Sequence, residues 1–223
     1  MTKAMQRIDI GILISTLLLL GFGIVLVYSS SFPLAQHRFG GSDFFLARQA
    51  IRALLGVACF IVFVNIDYHM LGKFGNGMYV AALALLVVVL MMPDAMAING
   101  AKRWVHVGTM RFQVSDFARI ALIVVLARHL ETAGERIREG RVFMQQVFKI
   151  ILICGLVIIE PDFSTGTILA VIGVSLLFLA GASLWQIAAL GAAVIPAALV
   201  FIVAEPYRRE RIMGFLDMSK HTQ

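Results

Sequence analysis

Charge is scarce in this chain: Asp, Glu, Lys and Arg make up 14% of its 223 residues, against 60% hydrophobic residues. That scarcity excludes a soluble globular enzyme, because the apolar residues far exceed what a core of this length would bury. Cysteine is nearly absent. The two present, Cys59 and Cys154, both lie inside apolar runs, so they read as small hydrophobes rather than as a disulfide or a metal pair. The apolar runs also lack the period-two alternation of barrel strands. Since every backbone amide in hydrocarbon must find its partner within its own segment, the fold class expected is all-α, a polytopic membrane helix bundle.

The runs long enough to cross a bilayer fall at about 8–28, 47–66, 78–92, 114–130, 142–159, 165–181 and 184–204, which predicts about seven transmembrane helices. The first run follows Lys3 and Arg7 and superficially resembles a signal sequence. It is longer than the roughly 7 to 15 apolar residues of a signal core, so an uncleaved first span is expected, with Ser29-Ser30-Ser31 as a loop entrance. The fifth run opens on Gln145, Gln146 and Lys149 and spans only if those side chains reach back to the interface. Gly21 and Gly23, or Gly166, Gly173 and Gly181, are candidates for close helix approach, although no strict spacing motif links them.

Lys3 and Arg7 at the start, with Arg128, Arg136, Arg138, Arg141 and Lys149 between the fourth and fifth spans, predict a cytoplasmic N-terminus. The same topology puts Lys102, Arg103, Arg111, Arg208, Arg209 and Arg211 on the outer face, against the positive-inside rule. Outer cations that defy this bias are candidates for binding an anionic group, and a large anionic lipid headgroup is the natural one.

Several polar positions have both a local and a functional reading. Lys102 and Arg103 stand beside Trp104, where an interfacial aromatic belt with cations on lipid phosphates is the local account. Asp116 and Arg119 are three apart on one helical face, which suits an internal ion pair as well as a ligand contact. Arg48 and Gln49 open the second span, where snorkelling is the plain explanation. In Glu160-Pro161-Asp162-Phe163-Ser164-Thr165, Asp162 and Thr165 can satisfy the free amides of a helix start, while two carboxylates at a membrane interface also suggest a polar cavity. Gln113 and Arg111 add donors to the outer basic set, and arginine's planar fork suits phosphate oxygens. After the seventh run, residues 205–217 mix charge with apolar anchors, as an amphipathic interfacial segment does.

Four passages, Gly100-Ala101-Lys102-Arg103-Trp104, Phe112 to Arg119, Glu160 to Thr165 and Pro206 to Arg211, resemble in order and spacing the SEDS family of peptidoglycan polymerases. Tyr28-Ser29-Ser30-Ser31, Arg48-Gln49 and Asn65-Ile66-Asp67-Tyr68 fit as well, and the whole pattern is more similar to the division branch, FtsW, than to the elongation branch, RodA. The resemblance implies a glycosyltransferase of the bacterial cytoplasmic (inner) membrane that joins lipid II, an undecaprenyl-diphosphate-linked disaccharide-pentapeptide, into glycan strands for division or cell shape. In such chemistry a carboxylate deprotonates the attacking hydroxyl while cations stabilise the departing diphosphate. By motif match, Arg48, Lys102, Arg103 and Arg119 are expected as headgroup or phosphate contacts, and Gln113, Asp116 and Asp162 as polar groups of the cavity.

The chain departs from the family where it has Val114-Ser115-Asp116 for the usual Pro-Ser-Glu, and Glu160 and Ser164 for the usual Gln and Gly. Family members have about ten spans and carry their catalytic aspartate in a long outer loop after the seventh, whereas this chain ends at Gln223. The resemblance therefore implies the amino-terminal part of one such domain, with no catalytic residue to be named and no polymerisation expected from residues 1–223 alone. No cofactor is implied beyond a divalent cation accompanying the substrate diphosphate. The expected partners are lipid II, the membrane and a single-span class B penicillin-binding transpeptidase, with no nucleic acid. Two other functions stay open: translocation of lipid II across the membrane, with Arg119 and Asp162 lining a path, and a non-catalytic scaffold for the transpeptidase.

Overall fold

A computed structural model describes residues 9–39, 44–92, 104–107 and 110–203. Among the described residues, seven α-helices run in chain order: α1 Ile10–Phe39, α2 Phe44–Asn65, α3 Tyr68–Leu90, α4 Val114–Ala133, α5 Gly140–Ile159, α6 Phe163–Leu179 and α7 Leu184–Val203. Between α3 and α4 stand two short antiparallel strands, β1 Trp104–Val107 and β2 Met110–Gln113. Among the described residues, four helices, α1, α2, α3 and α5, are long and apolar enough to cross a membrane. The protein is a membrane protein built as a helical bundle, as its composition requires.

The first unit, residues 1–70, holds α1 packed along α2. Both helices leave large apolar side chains exposed, among them Leu18, Leu19, Phe22, Leu54 and Phe63, as helices bathed in lipid do. Asp9 opens α1 by accepting from the amides of Gly11 and Ile12. The helix does not end at the serines. Ser30 and Ser31 both turn their hydroxyls back onto the Val27 carbonyl, so the expected loop entrance is an interior stretch of α1. Such back-bonding satisfies the hydroxyl inside the helix and removes the need for a break. Gly21 and Gly23 have no neighbouring atom where a side chain would stand, so they bring no backbones together among the described residues.

The second unit, residues 71–223, is built around buried stripes on α3 to α6. Gly75, Tyr79, Ala82, Leu86 and Val89 form that stripe on α3, and Ala118, Leu122, Val125 and Leu126 lie in the one on α4. Their spacing of three, four and seven keeps each set on one helical face. Helix α3 starts ten residues before the expected 78, because Lys73, Asn76 and the two glycines beside it are accommodated in helix rather than loop. Gly75 accepts the α4 backbone, with Val125 Cα 3.4 Å from where a β-carbon would stand.

Helix α6 lies against α5 through two of the glycines expected to allow close approach. A β-carbon on Gly166 would fall 2.7 Å from Ile158 Cγ1, and one on Gly173 would fall 2.7 Å from two atoms of Ile150. Gly181 plays a different part, ending α6 with φ of 89°, a conformation that a β-carbon opposes. Helices α4 and α5 are joined by a single 3-10 turn, Gly134–Arg138, so they are antiparallel neighbours. Their far ends, α4 start and α5 finish, therefore meet the start of α6.

Candidate functional site

That meeting point gathers polar residues from three helices and a strand. Asp162 precedes α6 and is 4% exposed. Its Oδ1 accepts from the Thr165 amide at 3.2 Å, and its Oδ2 accepts from the Thr165 hydroxyl at 2.8 Å. The local reading of Asp162 as a helix cap is thus correct. A second element joins it: Gln113, the last residue of β2, donates Nε2 to Asp162 Oδ2 at 3.0 Å and to Ser115 Oγ at 2.8 Å. Ser115 in the first turn of α4 and Glu160 at the end of α5 are both 0% exposed.

Burying these groups is expensive unless each is bonded, and the network supplies bonds to Asp162, Thr165, Ser115 and Gln113. It also ties β2 and α4 to α6 across 49 residues of sequence. The network fixes where the hairpin meets the bundle. Val105 on β1 packs against the core beside it.

Asp116 and Arg119, at the same end of α4, are paired to each other, with Arg119 Nη2 at 3.1 Å from Asp116 Oδ1. The side chains are 36% and 56% exposed for Arg119 and Asp116, so the pair stays open at the surface of this end. Arg119 Nε, by contrast, is buried and has no hydrogen-bond partner among the described residues. An acceptor arriving from outside would therefore meet the terminal nitrogens, at the open end of the side chain, rather than Nε.

Of the residues expected at the site, the structure brings Gln113 and Asp162 into direct contact and pairs Asp116 with Arg119 beside them. Arg48 is exposed on α2 in the first unit. Lys102 and Arg103, and the segment at 205–217, lie outside the described residues. Ser115 and Thr165 belong to the network although neither was expected as a site residue. The signal for them was their type: a hydroxyl within three residues of a carboxylate or amide at a helix start is a bonding partner. Among the described residues no group of three or more His, Cys, Asp or Glu could hold a metal ion.

Comparison with known proteins gives a consistent result. A family model describing FtsW, RodA and SpoVE cell cycle proteins matches residues 11–223. A probable peptidoglycan glycosyltransferase FtsW of Thioalkalivibrio sulfidiphilus is 36% identical over 215 residues, covering 95% of this chain and 53% of that protein. Stage V sporulation protein E of Bacillus subtilis is 32% identical, covering 97% and 60%. Among solved structures, a chain from a peptidoglycan synthase complex that coordinates polymerization and crosslinking superposes with a TM-score of 0.65 at 25% identity, over 88% of this chain and 59% of that one. The rod shape determining protein RodA of Thermus thermophilus shares the fold, with a TM-score of 0.62 at 20% identity over 81% of this chain and 58% of that one. The chain spans about half the length of the curated relatives it matches.

Proposed function

Because the chain belongs to the FtsW/RodA/SpoVE family of cell cycle proteins, we propose that it is the amino-terminal part of a peptidoglycan glycosyltransferase that handles lipid II, and that its hairpin end receives the lipid-linked headgroup. The observation that carries this is the pairing of opposites at one end of α4: a buried, fixed network from Gln113 to Asp162 beside a half-buried Arg119 whose terminal nitrogen is paired with the exposed Asp116. A fixed wall beside a guanidinium open to solvent at its tip suits a diphosphate leaving group, since its charge grows as the bond breaks.

In this reading Arg119, with Lys102 and Arg103, binds diphosphate oxygens, and Gln113 and Asp162 hold the strand and helix that present them. Asp116 restrains Arg119 until substrate competes for it. A divalent cation belongs to the proposal as a companion of the diphosphate, to which the exposed Asp116 carboxylate would add one oxygen. The membrane is the bacterial cytoplasmic membrane, with the N-terminus inside and the hairpin end outside, and a single-span penicillin-binding transpeptidase is the partner. The relative in a synthase complex supports that last point.

The test is lipid II binding by the purified chain in nanodiscs, titrated against undecaprenyl phosphate. The reading expects tighter binding of lipid II, weakened about tenfold by Arg119→Gln through loss of a charge-assisted contact. Equal affinity for the two lipids, or no change in the variant, would overturn it.

A further inference from the structure

At the opposite end of the same unit a groove of about 740 Å³ runs between α3 and α5. Its walls include Tyr79, Arg141, Gln145, Phe148, Lys149 and Leu152. Arg141, Gln145, Phe148, Lys149 and Leu152 are spaced by three and four, so they form one stripe along α5. The stripe changes character along its length. Its first turns carry two cations and an amide, its later turns are apolar, and among the described residues no carboxylate lines the groove.

Lys149 is the unusual member. It lies nine residues into α5, about 13 Å along a helix that crosses a hydrocarbon core of about 30 Å. An ammonium at that depth is costly and calls for an anion or a path to the interface. Lys149 Nζ turns back toward the start of α5 and donates to Gln146 Oε1 at 2.7 Å. Only that one of its three N–H donors is used among the described residues. The groove wall is fixed next to it, because the Tyr79 hydroxyl donates to the Lys149 carbonyl at 2.9 Å.

We infer that this groove is a binding site for one anionic diacyl phospholipid, with its phosphodiester held between Arg141 and Lys149 and an acyl chain laid along Phe148 and Leu152. Charge complementarity selects this occupant. Arg141 and Lys149 are two turns apart, about 12 Å along the axis, and the Lys149 ammonium is turned back toward the end of α5 that carries Arg141. A phosphate there would meet both cations while remaining bonded to glycerol at the interface. A zwitterionic lipid adds its own cation to the same place and gains less. The site is independent of the lipid II reading, being at the other end of α4 and α5 and sharing no residue with it.

The experiment is native mass spectrometry of the full chain released from nanodiscs containing equal phosphatidylglycerol and phosphatidylcholine. One phosphatidylglycerol should be retained in about tenfold preference over phosphatidylcholine, from two cation contacts near the surface. Lys149→Gln removes a charge from a span and so favours folding, and the exposed Arg141→Gln leaves the packing intact; each should cut that preference, and together they should abolish it. Equal retention of the two lipids, or an unchanged preference in the double variant, would overturn the inference. So would displacement of the bound lipid by soluble glycerol phosphate, which would make the site one for a free anion. A second protein chain held in the groove in place of lipid would overturn it too.

Discussion

At the hairpin end of the second unit, Ser115, Asp162 and Thr165 are buried and joined through Gln113 across β2, α4 and α6. At the turn end, Arg128 pairs with Glu131 on its own helix, and the exposed Arg138 and half-buried Gln186 bond backbone carbonyls. Both ends close the same four-helix packing, but only the first does so with a carboxylate withdrawn from water. A buried carboxylate is stable only in one arrangement of its donors, so that end is specified to within a hydrogen bond. The polar contacts of the turn end, by contrast, can exchange their partners for water.

This contrast ranks the effect of substitutions. Asp162→Ala should do most, because it removes the cap of α6 and strands the Gln113 amide together, at about 3 kcal/mol in thermal or denaturant unfolding of the detergent-solubilised chain. Gln113→Leu leaves the cap in place but removes the bonds to Asp162 and to the buried Ser115 hydroxyl, so about 2 kcal/mol is expected from the same measurement. Gln186→Ala, at the turn end, loses its bond to the Arg138 carbonyl and its contact with Ser183, for about 1 kcal/mol. Arg128→Gln, which breaks an exposed pair three residues apart, should change stability by no more than about 0.5 kcal/mol. A turn-end variant that destabilised more than Asp162→Ala would reverse the comparison.

Most of the helical frame was legible in the sequence because hydrocarbon thickness sets run length, and seven apolar runs became seven helices. The expected reach of Gln145, Gln146 and Lys149 to the interface fails for Gln146, which is 4% exposed inside the bundle because Lys149 Nζ, turned back one helical turn, supplies its amide oxygen with a donor there. What was not legible depended on local bonds with no strong compositional mark. Ser30 and Ser31 look like a loop, but their hydroxyls are satisfied within α1. The β1–β2 hairpin occupies eight residues, Val105 opposite Phe112 and Val107 opposite Met110, with Gly108-Thr109 between the strands in sequence. That alternation is a hairpin signal, hidden here between much longer apolar runs.

The site was legible in its membership rather than its geometry. Asp162 and Gln113 stood out as polar groups at the edges of apolar runs, and Asp116 with Arg119 as a helical pair. Their joining rests on how closely α6 approaches α5, which Gly166 and Gly173 permit and which no single residue announces. Glycine spacing alone could not say which helix would be the neighbour. For Gly21 and Gly23 the same composition leads to open space.

The account turns on the hairpin end, and not the turn end, receiving a lipid-linked diphosphate. The most direct test places a photo-crosslinking amino acid at Phe112 in one protein and at Gln145 in another, both on exposed side chains, and exposes each to radiolabelled lipid II in nanodiscs. The account predicts strong labelling at Phe112 that excess unlabelled lipid II removes, with background labelling at Gln145. Labelling concentrated at Gln145, or equal at the two positions, would contradict it.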